Sequence, residues 1–306
     1  MGKNSRIITF LIITAILFAF SGCTGKSSLS DDKITIAVSI VPQETFVRAV
    51  AGDKAEIVTM IPPGKSPESY SPTPREMEAF SRADLYFSIG VPAEEASILP
   101  KAKDFNSKIK IVDLAARVGE VYPHRYFDEK EEHGSGNGED NHRHEGRDPH
   151  IWLSPKRVMV MIDVIAQELS FFDPRNEAFY EKNAQDYIAK LEDLNNEIKT
   201  ILRDIKNRTF IVYHPAFGYF ADDYGLNMVA IESEGKEATA KDLQNVIDIA
   251  RSEGIKVVFY QAETDSKQAR TLAEEIGGKV QMLEPLSADY INNLRKMANA
   301  FLEAAE

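Results

Sequence analysis

From Pro174 to about Asn207 the chain runs without glycine and without a second proline. Phe179, Tyr187, Leu191, Leu194, Ile198, Ile201 and Ile205 recur there at helical spacing. About 33 residues at ~1.5 Å each predict a helix of roughly 50 Å, far longer than an ordinary globular helix. A coiled-coil stalk between two copies is one reading of such a stretch. The pattern on either side favours another. Upstream, apolar runs at 34–39, 56–61, 85–89 and 109–112 alternate with helical segments, among them 42–52 and 155–172. Downstream, runs at 209–213, 256–260 and 279–283 alternate with helical segments at 239–253, 266–276 and 290–305. Such alternation predicts βαβ units and largely parallel sheets. The expected fold is α/β: two lobes, each a mostly parallel β-sheet flanked by helices, joined by one long rigid α-helix. The N-terminal lobe should span 33–173, the linking helix 174–207 and the C-terminal lobe 208–306.

Residues 1–22 read as a signal peptide. Lys3 and Arg6 precede an apolar run of about 14 residues at 7–20, too short to span a bilayer comfortably. Ser21 and Gly22 then lead to Cys23, the only cysteine. Small residues before a cysteine at the end of such a run read as a lipidation site, although Phe20 is unusual there. A stray thiol is the other reading. Acyl chains on Cys23 would anchor the protein to a membrane, with the polar residues 23–32 as a tether. With no other cysteine, disulfides play no part in stability. The net charge of -12 argues against nucleic acid and does not repel cations.

Residues 126–147 break the alternation. They are charged and glycine-rich, and they hold His133, His142 and His144. This is either a solvated insertion with incidental histidines or a low-affinity metal-collecting loop. It ends at Asp-Pro-His-Ile-Trp-Leu-Ser-Pro (148–155), which contains the only tryptophan and sets His150 between two prolines. Ligands of open parallel sheets bind beyond the carboxyl ends of the strands. Metal-capable residues at such places are Glu68, in the proline-rich loop 62–74, His150, His214 after the strand at 209–213, and Glu284 after the strand at 279–283. Each has a plainer reading. His150 could cap a helix, and His214 could pack in its aromatic cluster. Glu68 could be an exposed loop acid and Glu284 a helix-start carboxylate. Glu263 competes with Glu284 for the fourth place, and Glu232 and Glu234 are weaker candidates. In the same loop, Thr73 is the expected N-cap of the next helix, with Pro74 at its first position and Glu76 at its third.

These motifs together resemble the zinc/manganese substrate-binding proteins of bacterial and archaeal ABC importers. Residues 63–74 are similar to that family's proline-rich loop, and 148–155 to its Asp-Pro-His-x-Trp segment. His214 to Phe220 are similar to its third-ligand turn, and Leu283 to Leu286 to its Leu-Asp-Pro-Leu segment. The resemblance implies metal ligands at Glu68, His150, His214 and Glu284. It also implies a Zn2+ cargo, with Mn2+ or Fe2+ as alternatives, and a membrane permease as partner. Glu68 stands where the family has histidine, and Glu284 where aspartate is usual. The expected protein is a monomeric, extracytoplasmic, lipid-anchored receptor and not an enzyme. The other readings are a metal-dependent adhesin and a metallohydrolase. The sequence shows no HExxH pair for the latter.

Overall fold

Strands buried on both faces are apolar on both faces, and only then does a parallel sheet survive between helices. The computed structural model, which describes residues 33–127, 146–232, 237–264 and 267–305, contains two such sheets. The first has the order β2-β1-β3-β4, from β1 (Ile34–Val38), β2 (Ala55–Thr59), β3 (Leu85–Ser88) and β4 (Lys110–Asp113). The second has the order β6-β5-β7-β8, from β5 (Thr209–Val212), β6 (Asn227–Ala230), β7 (Val257–Gln261) and β8 (Lys279–Leu283). Every pairing is parallel. Side chains alternate with a period of two. Ile36, Val38, Leu85 and Phe87 of the first sheet, with Phe210, Val212, Val257 and Phe259 of the second, enter one large core. Ala37 and Tyr86 turn to a separate outer cluster, and Ile211 and Val258 to another.

The helices are α1 (Val41–Ala51), α2 (Pro74–Phe80), α3 (Pro92–Ser97), α4 (Ala102–Phe105), α5 (Leu114–Gly119), α6 (Pro155–Phe172), α7 (Glu177–Ile201), α8 (Gly218–Tyr224), α9 (Ala240–Glu253), α10 (Lys267–Glu275) and α11 (Tyr290–Ala304). The chain from Ile34 onward forms one compact unit. The two lobes share the large core, so α7 is a packed wall rather than a bare strut. It lies against α1 and α6 of the first lobe and α11 of the second. Asn183 Nδ2 donates to Val50 O at 2.9 Å, and Arg295 Nε donates to Glu197 Oε1 at 2.6 Å.

The helix is also shorter than its apolar spacing predicts: 25 residues, or about 37 Å. Leu202 and Ile205 keep the spacing and are buried. The backbone, however, turns at Arg203, whose N–H donates to Thr200 O. Arg208 holds that turn by donating to Arg203 O at 3.1 Å and Tyr224 O at 3.3 Å. Helices α3, α4, α5 and α8 and strand β6 are short elements that periodicity did not reveal.

At the start of α2, Thr73 Oγ1 accepts from Glu76 N, and Glu76 Oε2 accepts from Thr73 N at 2.6 Å. This reciprocal cap orients the loop that carries Glu68. Thr73→Ala should lower stability by about 1 kcal/mol in urea unfolding. An unchanged midpoint would show that the loop is held by other contacts.

Candidate metal centre

A chain whose strands all point the same way collects its loop residues at one end of each sheet. β5 leads directly into His214, and β6 into Glu232, whose N–H donates to Tyr213 O at 2.9 Å. That pairing sets Glu232 beside His214, and Glu232 Oε1 lies 2.6 Å from His214 Nδ1. In the first lobe the loop after β2 carries Glu68. Ala93 N at the start of α3 donates to Pro67 O at 2.9 Å and pins that loop. His150 comes from the segment before α6. Pro149 bends it so that Asp148 Oδ1 accepts both His150 N at 2.9 Å and the ring Nδ1 at 2.8 Å. Asp148 is fully buried. Tyr219 OH donates to its backbone carbonyl and accepts from Arg125 N.

Both imidazoles therefore turn Nδ1 to a carboxylate and Nε2 inward. The two Nε2 atoms are 3.2 Å apart, and Glu68 Oε1 lies 3.6 Å from each. Two donors at about 2.0–2.1 Å from one tetrahedral zinc are about 3.3–3.4 Å apart. The triangle is thus the size that a single dication requires. Among the described residues Glu68 Oε1 is buried yet meets no donor within hydrogen-bond distance, an oxygen left to bind something else. Carboxylates behind imidazoles fix the ring orientation and raise the basicity of the inward nitrogen.

The electrostatics follow from the packing. Burial pulls the Glu68 carboxyl upward, but the facing His214 and His150 imidazoles outweigh it and hold it below its ordinary value. Burial presses the His214 imidazole down. Glu232 and Glu68 overcome that and push it up to about 9.

Of the residues singled out from the sequence, Glu68, His150 and His214 come together, with all three donor atoms within 4.8 Å of one another. Glu284 is not among them. It follows the edge strand β8, two strands away from β5. Its side chain is exposed, while its backbone carbonyl accepts from Asn293 Nδ2 at 2.7 Å. Glu263, after β7, lies one strand nearer. Burial and the neighbouring Glu284 charge push its carboxyl up. Cys23, His133, His142, His144 and Glu234 lie outside the described residues. Asp148 has no role assigned by pattern, although it stands two residues before His150 across a proline. Glu232, a weaker ligand candidate by its place in the sequence, is the group behind His214.

Two parallel-sheet lobes with a buried cluster of metal-type donors between them define a two-lobed binding protein. The family described as "ZnuA: Zinc-uptake complex component A periplasmic" matches residues 36–304, and the chain belongs to that family. The high-affinity zinc uptake system protein ZnuA of Bacillus subtilis is 32% identical over 90% of this chain and 85% of its own length. The zinc-binding protein AdcA of Streptococcus pyogenes serotype M3 is 28% identical over 96% of this chain. The match spans only 60% of that relative's length. A solved structure described as a 138-173 ZnuA deletion mutant with zinc bound superposes with a TM-score of 0.80 at 34% identity, covering 90% of this chain and 99% of the other.

Proposed function

We propose that this chain is an extracytoplasmic receptor that captures zinc and delivers it to the membrane permease of an ABC importer. Glu68, His150 and His214 hold the ion, and Asp148 and Glu232 orient the two imidazoles. The observation that carries this reading is the spacing of three inward-facing donors, 3.2, 3.6 and 3.6 Å, which fits one tetrahedral cation. Two imidazole nitrogens with one carboxylate favour zinc over manganese, which prefers oxygen-rich sets. The names of the relatives, a zinc uptake protein and a zinc-binding protein, support the same cargo. Three protein ligands with a fourth place free also suit a catalytic zinc, but membership of a family described as an uptake component favours transport. Among the described residues no helix is long and apolar enough to cross a membrane. An acylated Cys23 is the proposed anchor, and His133, His142 and His144 a proposed outer collector of metal. Glu284 remains a proposed fourth donor only if loading moves its loop toward the cluster.

Calorimetric titration of the purified chain with zinc, manganese and iron(II) tests the reading. One zinc per chain, bound more tightly than the other two ions, is expected. An absence of zinc binding would overturn it. The proton linkage gives a second expected result. With His214 pushed up to about 9, the unloaded chain carries a proton there at neutral pH, and a metal must displace it. Zinc affinity should therefore rise as pH climbs toward 9 and fall as pH drops. Titrations in buffers of different ionisation heat should show about one proton released per zinc. In the metal-free chain the sign is opposite. The stability that comes from holding this proton is complete below pH 6.5 and disappears as pH rises through about 9.

A further inference from the structure

The cavity that opens onto the donor cluster holds a second buried charge that the three ligands do not explain. It has a volume of about 220 Å³ and is lined by Glu68, His150, His214, Gly90, Glu95 and Arg147, among others. Arg147 is 8% exposed. Its Nη2 donates to Gly90 O at 3.3 Å. Among the described residues its Nε and Nη1 meet no acceptor at all. The Glu68 and Glu95 carboxylates line the same cavity, yet neither accepts from these two N–H groups, and buried donors that have given up water without an acceptor are costly. Placed at the mouth of a cation site, they are costlier still.

The backbone is nonetheless shaped to keep it there. Tyr126 and Arg147 pair as an antiparallel bridge, Phe127 N donates to Gly146 O at 2.8 Å, and Asp148 N donates to Arg125 O at 2.9 Å. Gly90 sits at φ +78°, and a Cβ there would lie 1.9 Å from Arg147 Nη2. Only glycine leaves the guanidinium its place against the chain. Among the described residues, position 147 is therefore built to hold a guanidinium with two unsatisfied N–H groups at the cavity that the cluster shares.

We propose that Arg147 and the open side of the cluster form one composite site for a small oxygen anion. The anion accepts from Arg147 and places an oxygen in the fourth position on the metal, so the receptor takes up its ion together with a carboxylate or inorganic oxyanion. The anion resolves both problems at once. It supplies the fourth donor that Glu68, His150 and His214 lack, and it separates the guanidinium from the dication. The proposal rests on the metal reading given above and adds a second ligand class to the same cavity.

Cobalt(II), whose visible spectrum reports its ligands, tests it in the full chain in a non-coordinating buffer salt. Acetate is one probe and bicarbonate the other. In the wild type either anion should shift the cobalt band saturably and raise the apparent cobalt affinity about tenfold. The probe that acts at lower concentration identifies the source as carboxylate or inorganic. Arg147→Met should need at least about tenfold more anion for the same shift, and Arg147→Lys should recover part of the response. Circular dichroism checks that both variants fold, and the lysine variant carries the test if the methionine variant does not. Cobalt binding with no response to either anion would overturn the proposal and leave the metal reading standing. Equal responses in wild type and both variants would do the same. An anion response that appears only after Glu284→Gln would assign the fourth place to Glu284 and overturn it too. Failure of the wild type to bind cobalt or zinc would remove the metal reading and this inference with it.

Discussion

His214→Ala is expected to weaken zinc binding by about two orders of magnitude. A four-donor structural zinc site is worth roughly 10–16 kcal/mol, so one donor carries about 3 kcal/mol, and each 1.4 kcal/mol is tenfold. His214 carries more than its own nitrogen. Its ring lies between Glu68, 3.6 Å from Nε2, and Glu232, 2.6 Å from Nδ1. Its removal also leaves the Glu232 carboxylate without the ring that it faces in a buried setting. His150→Ala should act on the same scale, because its ring is held in the same way by Asp148. Glu232→Gln keeps the ligand and loses only the charge behind it. It should cost about tenfold to a hundredfold, the range for such supporting groups. Glu284→Gln tests whether the unloaded arrangement is also the loaded one. Its carboxylate stands exposed and apart from the three donors, so zinc affinity should change less than about threefold. A competition titration against a zinc chelator of known strength reads all four. Wild-type affinity in His214→Ala would show that the ion sits elsewhere, and a loss in Glu284→Gln as large as in the histidine variants would show that loading brings Glu284 to the ion.

The contrast between His214 and Glu284 also shows what a sequence holds and what it hides. Two lobes of parallel sheet were legible because largely apolar runs such as 34–39 and 256–260 alternate with helical patterns. Metal-type residues just after strands were legible for the same reason: in a parallel sheet every strand end faces the same way. Local patterns do not state the order of strands within the sheet. In the chain all strand ends look alike, but in space β5 is central and β8 is an edge. Hence His214 reaches the cluster while Glu284 stays outside it. Strand β6, four partly exposed residues from Asn227 to Ala230, was too short and too mixed to be seen. Without it nothing placed Glu232 beside His214. The end of α7 was hidden for another reason. Leu202 and Ile205 continue the apolar spacing past the last helical turn, and the signal that stops the helix is Arg208, which acts through backbone carbonyls rather than through a glycine or proline.

Trp152→Ala should produce the largest loss of stability, about 3–5 kcal/mol, the range for deleting a buried aromatic side chain. Trp152 is 1% exposed and sits on the short turn Ile151–Leu153 directly after His150. Its indole N–H donates to Pro285 O at 2.9 Å, and its own carbonyl accepts from Tyr290 OH at 2.7 Å. Tyr290 in turn meets Phe46 of α1 edge to face, with ring centroids 4.9 Å apart. The indole thus joins the segment that carries His150 to the loop after β8, while the backbone of the same residue is tied to Tyr290. Its ring centroid is also 5.1 Å from that of His150, so it backs an imidazole of the donor cluster. Trp152→Phe separates these roles. It keeps most of the apolar volume but leaves Pro285 O without its donor, at a cost of about 1–3 kcal/mol. Urea unfolding of the metal-free variants, followed by circular dichroism, measures both costs. A loss below about 1 kcal/mol in Trp152→Ala would mean that the lobes are held by the shared core alone. As the only tryptophan in the chain, Trp152 also offers an internal reporter. Zinc added to the wild type should change its fluorescence at the same concentrations at which calorimetry registers binding. A fluorescence titration indifferent to zinc would separate this tryptophan, and the histidine it supports, from the binding event.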